Sequence, residues 1–92
     1  MDHLDQKPER ILVSFKMQDR SPLRMLVGDG RRTYGQLVEI ACEKVGAEPY
    51  ELVALLHGNR IGSDRMVTAA DAERTEKGLE VAVDLLKTQY GG

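Results

Sequence analysis

Apolar residues recur at every second position in residues 11–17: Ile11, Val13, Phe15 and Met17 alternate with Leu12, Ser14 and Lys16. Successive side chains of a strand point to opposite faces, so this spacing predicts a strand with one buried side. Residues 18–22 (QDRSP) are polar and end in a proline that fixes φ, which predicts a turn. Leu23, Met25 and Val27 then resume the two-residue spacing, predicting a second strand over 23–28 and hence a hairpin.

The period changes after GDGRR (28–32). Thr33 and Gln36 have the spacing of a capping box, a helix start signal. At 100° per residue, Tyr34, Leu37, Val38, Ala41 and Val45 fall within one arc about 100° wide. Gln36, Glu39, Glu43 and Lys44 lie on the other side, and Gly46 supplies a stop. Cys42 lies at the flank of the apolar arc, which predicts a partly buried, inert thiol. Beyond the helix, residues 49–52 read as a single turn and 53–57 (VALLH) as a short buried strand. Residues 58–59 (GN) read as a tight turn, and 60–62 as a brief return strand. A meander over 63–71 is expected to direct Met66 and Val67 inward, and 76–78 (EKG) to turn. Residues 79–86 (LEVAVDLL) alternate again: Leu79, Val81, Val83 and Leu85 inward, Glu80, Ala82 and Asp84 outward.

One amphipathic helix and several half-apolar strands cannot hide their apolar sides alone. The pattern therefore predicts an α+β domain, a mixed four- to five-stranded sheet covered by one α-helix. The first and last strands, the most regular, pair in parallel at its centre. Residues 1–10 lack periodicity and are expected to form a flexible N-terminal extension; the domain spans 11–86, and 87–92 form a flexible tail.

Composition narrows the function. The chain has 92 residues, no Trp and one Phe. One modest aliphatic core is all that such a length builds, with no spare volume for a deep catalytic pocket. The net charge of −2, with acids and bases interspersed, lacks the basic footprint of a nucleic-acid binder. No apolar run has membrane-spanning length, and the polar start is not a targeting peptide. Cys42 is the single cysteine, which fits a reducing cytoplasmic setting. With His3 and His57 it makes a scattered set unsuited to a metal site. Neither Ser14 nor Ser21 has a histidine partner in sequence, so no catalytic pair is expected, nor a cofactor: GDGRR lacks the lysine spacing of a phosphate loop. Residue 42 lies late in a helix beside Glu43, the wrong field for a reactive thiolate.

The ending KTQYGG raises a separate question. Glycine has the largest conformational freedom of any residue and no side chain to pack. A pair of them serves no core, so the ending is either an accident, a truncation or a functional end.

The order of elements and several local matches resemble ubiquitin and its relatives, over residues 11–92. ILVSFK matches the family's opening strand, and seven positions separate Lys16 from Leu23 as in ubiquitin's first hairpin. Thr33 falls on the family's helix cap. LLHGNRIGSDRMVTAAD follows the third-strand, turn and meander segment without a gap, with Gly58 as the turn glycine. EKGLEVAVDLL resembles the final strand, and the tail closes on Gly91 and Gly92.

The resemblance implies the β-grasp (ubiquitin-like) fold and a protein modifier rather than an enzyme. An E1-like activating enzyme would adenylate Gly92, with Gln89, Tyr90 and Gly91 as its recognition residues. An E2-like enzyme would pass the chain to target proteins, and a JAB-type or other deconjugating protease would release it. No nucleic acid and no membrane partner is implied. A sulfur carrier bearing a C-terminal thiocarboxylate, or a non-covalent interaction module, would share the body. Gln18, Leu55 and Ala82 occupy the positions of the family's apolar recognition surface. Only Leu55 keeps bulk, and Glu80 and Asp84 flank Ala82 where ubiquitin is basic, so ordinary ubiquitin receptors are expected to bind poorly. Tyr90 stands where ubiquitin has arginine, implying a dedicated activating enzyme. Lys16, Lys44 and Lys77 are possible acceptor lysines, whereas Asn59 replaces the lysine after ubiquitin's turn glycine.

Overall fold

The computed structural model describes residues 10–87. β1 (Arg10–Met17) and β2 (Arg20–Gly28) form a hairpin. Helix α1 (Tyr34–Val45) follows, and a 3-10 turn (Pro49–Glu51) leads into β3 (Leu52–Leu56) and β4 (Asn59–Arg60). A second 3-10 turn (Ala69–Asp71) precedes β5 (Glu73–Thr75) and the long β6 (Gly78–Lys87). The six strands form one sheet in the order β2-β1-β6-β3-β4, with β5 also paired to β6. β1 and β6 lie parallel at its centre, as their alternation predicts.

The inner face of the sheet holds Ile11, Val13, Phe15, Val81, Val83 and Leu85, each 2 % exposed or less. Helix α1 covers them with Tyr34, Leu37 and Ala41. The helix starts where the capping box places it. The Thr33 hydroxyl accepts from Gln36 N–H, and the Gln36 side chain accepts from Thr33 N–H at 2.9 Å. It stops at Gly46, whose φ of 76° is the left-handed conformation that costs glycine little.

The meander is stitched to the start of the helix. Gly30 N–H donates to Val67 C=O, Tyr34 N–H to Arg65 C=O and Gly35 N–H to Ser63 C=O. Gly35 is required there, because a Cβ would stand 2.6 Å from the Ser63 carbonyl oxygen.

Several expectations need correction. The hairpin turn is shorter than residues 18–22: β2 begins at Arg20, and Pro22 lies within it. Pro22 is tolerated because β2 is an edge strand, where a missing N–H breaks no ladder. Arg10 and Lys87 belong to the two central strands, β1 and β6, rather than to the extensions, since Arg10 pairs with Gly28 and Lys87 with Leu52. The sheet has six strands, not four or five. The extra one, β5, is wholly exposed and has no apolar alternation to betray it. Its turn is held instead by Thr75, whose hydroxyl donates to Gly78 C=O and accepts from Lys77 N–H.

β3 is only partly buried except at Leu56, and His57 belongs to the turn, at φ 53°. Val67 is buried as expected, but Met66 is 40 % exposed. Thr33 and Met66 make a single bridge, an extended geometry that turns neighbouring side chains in opposite directions. Cys42 is fully rather than partly buried, because the Pro49–Glu51 turn packs back on α1.

Phe15→Ala is expected to lower the unfolding free energy by about 3–5 kcal/mol. Leu26→Ala, at a residue 58 % exposed on the opposite face, is expected to change it by about 0.5 kcal/mol or less. Urea melts of the two variants check the assignment of inner and outer faces.

Candidate functional site on the outer sheet face

Because side chains alternate, burying Val81, Val83 and Leu85 forces Glu80, Ala82, Asp84 and Leu86 onto the other face. The register then assigns their neighbours. Glu80 lies between Leu12 and Glu73, and Ala82 beside Ser14. Asp84 lies between Lys16 and Leu55, and Leu86 beside Val53. The result is a surface with an acidic end at Glu73 and Glu80 and a floor of small residues at Ser14 and Ala82. Its apolar end holds Leu55, Val53 and Leu86, the last 46 % exposed. Leu55 is half-buried, Ala82 is exposed, and Gln18 is exposed in the β1–β2 turn. Leu55 and Ala82 therefore share the face, with Gln18 at the end of the hairpin beyond Lys16. Val53 and Leu86 were missed in the sequence, although continuing the β6 alternation by two residues reaches Leu86.

A polar network ties the helix to the second 3-10 turn. The Tyr34 hydroxyl donates to Asp71 Oδ2 at 3.0 Å, and Arg65 Nη2 donates to Asp71 Oδ1. Burial pushes the Tyr34 pKa well above that of a free phenol, and the hydrogen bond to the Asp71 carboxylate and its charge push the same way. Burial likewise raises the Cys42 thiol, helped by the charges of Glu48, Glu51 and Glu39. A buried thiol held in its neutral form is a poor nucleophile. Among the described residues, no group of three or more histidine, cysteine or acidic side chains is placed to hold a metal. No helix among them is long and apolar enough to cross a membrane.

Comparison with solved structures gives close agreement in shape. A ubiquitin from Caldiarchaeum subterraneum superposes with a TM-score of 0.72 at 14 % identity, covering 91 % of this chain and 100 % of that one. A chain of a crystallised pParkin–pUb–UbcH7 complex superposes at 0.69 and 13 % identity, covering 86 % of this chain and 23 % of that one. This is a ubiquitin-like β-grasp fold. No protein-family model matches the sequence, and no curated protein matches it either.

On this ubiquitin-like body the three lysines singled out in the sequence are all exposed. Lys16 faces Asp84 on the outer surface, Lys44 is in the last turn of α1, and Lys77 is in the β5–β6 turn. They do not converge. Gln89, Tyr90, Gly91 and Gly92 lie outside the described residues.

The raised Tyr34 pKa makes an alkaline prediction. The unfolded phenol ionises near pH 10 while the folded one stays neutral. Tyr34 therefore stabilises the fold fully below about pH 10 and loses that contribution as the pH rises further. Tyr34→Phe is expected to be less stable at pH 8 by about 1–2 kcal/mol, for the lost hydrogen bond to a carboxylate. It should also fall less steeply than the parent between pH 9 and 11. Urea melts across that range give both readouts.

Proposed function

We propose that this protein is a ubiquitin-like modifier, activated at Gly92 and transferred to amines of target proteins. The observation that carries the reading is the combination of a ubiquitin-like body with a Gly91–Gly92 pair four residues beyond the end of β6. The chemistry requires a free carboxylate on Gly92, present as made or after a protease cuts behind it. In the first step a Gly92 carboxylate oxygen attacks the α-phosphorus of ATP, forming an acyl adenylate and releasing pyrophosphate. A cysteine thiolate of the E1-like enzyme then displaces AMP, forming a thioester. After exchange onto an E2-like enzyme, a deprotonated lysine amine attacks the carbonyl and the thiolate leaves. Each step crowds the same carbon, and glycine at both final positions keeps side chains out of the way.

The chain is the acyl donor in this scheme and not a catalyst. Cys42 is buried with a raised pKa, so it takes no part in thiol exchange. Gln89, Tyr90 and Gly91 are the proposed contacts of the activating enzyme. Lys16, Lys44 and Lys77 are exposed and are the proposed acceptors if the chain is itself modified. A JAB-type or similar protease would reverse the linkage, and the whole cycle would run in the cytoplasm, where ATP and reduced thiols coexist.

Removing Gly91 and Gly92 should abolish ATP-dependent transfer while leaving the urea melt of the body unchanged. Mass spectrometry of conjugates formed in extract should find a glycylglycine remnant on target lysines. A product in which sulfur replaces one carboxylate oxygen, with no remnant on any lysine, would reassign the protein as a sulfur carrier. Unaltered behaviour of the truncated chain would leave a purely non-covalent module.

Tyr90→Arg, which replaces an aromatic contact by a charge, is expected to slow activation by the native enzyme at least about tenfold, as for loss of one well-packed interface side chain. Pyrophosphate release measures it.

A further inference from the structure

The outer face contains a cleft of about 250 Å³ whose lining includes Ser14, Lys16, Arg24, Glu73, Glu80 and Ala82. Ser14 and Ala82 are cross-strand neighbours at its floor. Both are small, so the surface sinks between the longer side chains around them.

Two features of this cleft have no explanation within the fold. Ser14 is 5 % exposed, yet its hydroxyl has no hydrogen-bond partner among the described residues. Buried polar groups are nearly always paired, and one left unpaired is unfavourable. Glu73 and Glu80 are direct partners across β5 and β6. Like charges placed directly opposite destabilise an antiparallel pair. Neither carboxylate makes an ion pair with a described residue. Lys16, a cation that also lines the cleft, lies opposite Asp84 in the β1–β6 register and makes no ion pair with a described residue. Asp71, which also lines the cleft, is engaged by Tyr34 and Arg65.

We propose that this cleft docks an arginine side chain of a partner protein. A guanidinium is planar, permanently charged and carries five N–H donors in a fixed fork. It can bridge two facing carboxylates and still donate to a hydroxyl oxygen, which answers both unexplained features together. Its aliphatic stem lies over the Ala82 methyl group. Arg24, opposite Ser14 on the β2 side, repels the incoming cation toward the glutamates and so sets its direction. A lysine ammonium is a compact point charge that satisfies fewer of these acceptors at once. A carboxylate is repelled by Glu73 and Glu80. The inference rests on the sheet face alone and requires no conjugation chemistry.

The test is an amide-resonance NMR titration of the full chain with N-acetyl-arginine amide, beside its lysine and glutamate counterparts, without ATP or any enzyme. The arginine compound is expected to give saturable shifts at Ser14, Glu73, Glu80 and Ala82, with the lysine compound weaker and the glutamate compound inert there. Glu73→Gln, Glu80→Gln and Ser14→Ala should each weaken the arginine titration roughly threefold or more, the scale of one charge-assisted contact at a partly solvated site. Each Gln variant should also raise the thermal midpoint, because the cross-strand repulsion is gone. The proposal is overturned by the absence of saturable shifts with the arginine compound, or by equal or tighter binding of either counterpart. It is equally overturned if Glu80→Gln titrates like the parent, or if both Gln variants melt at lower temperature, which would make the pair structural.

Discussion

The parallel pairing of β1 with β6 is the contact on which everything else rests. These are the first and last strands, yet they sit side by side at the centre of the sheet. Together they supply Ile11, Val13, Phe15, Val81, Val83 and Leu85, half of the buried cluster that α1 covers. Without that pair neither the helix nor the lateral strands have a surface to pack on. A parallel pair needs a long crossover, and here almost the whole chain serves as one. Closing so large a loop costs entropy before any long-range contact forms. The hairpin and the capped helix within that loop are held by contacts local in sequence.

Register also decides the chemistry of the other face. A slip of one residue in β6 would exchange its whole inner and outer sets. Since Val81, Val83 and Leu85 are held inside by packing, Glu80, Ala82, Asp84 and Leu86 are outside by necessity. Packing asks little of those outward positions, so their chemistry is free to follow a partner. The outcome is a face with small residues and carboxylates at its centre and apolar bulk at Leu55, Val53 and Leu86. The facing glutamates work against the ladder that carries them. A surface selected only for stability would place a cation or an uncharged residue at one of the two positions.

The central architecture was legible because its signals were local and repeated. Alternation in residues 11–17 and 79–86, the Thr33–Gln36 box and Gly46 each announce one element without reference to the rest. What escaped depends on contacts between distant segments. β5 is a run of Glu, Arg and Thr, with nothing apolar to count, and exists because β6 offers it an edge. Met66 looks like a core residue beside Val67, but the bridge to Thr33 sends the two in opposite directions. Full burial of Cys42 comes from a turn several residues beyond the helix. Ser14 reads as an ordinary outward serine. Only the neighbours supplied by β2 and β6 bury it, so the sequence carried no sign of its unpaired hydroxyl.

The same strand connects the two proposed activities in space. β6 presents Glu80, Ala82 and Asp84, and its chain continues toward Gly92. At about 3.3 Å per residue, the paired segment from Ala82 to Lys87 spans roughly 17 Å. Five further residues reach at most about 18 Å when fully extended. An enzyme that grips the outer face and acts at Gly92 must therefore hold its active site within about 35 Å of the cleft, the sum of those two lengths. The first part of that distance is fixed by pairing with β1 and β3. Cys42 and the Tyr34 hydroxyl are both inside and both held in their neutral forms, so neither acts as a nucleophile at this face. The proposed recognition by the sheet and the proposed reaction at the chain end are thus separate tasks, joined by one strand whose register sets where the second begins.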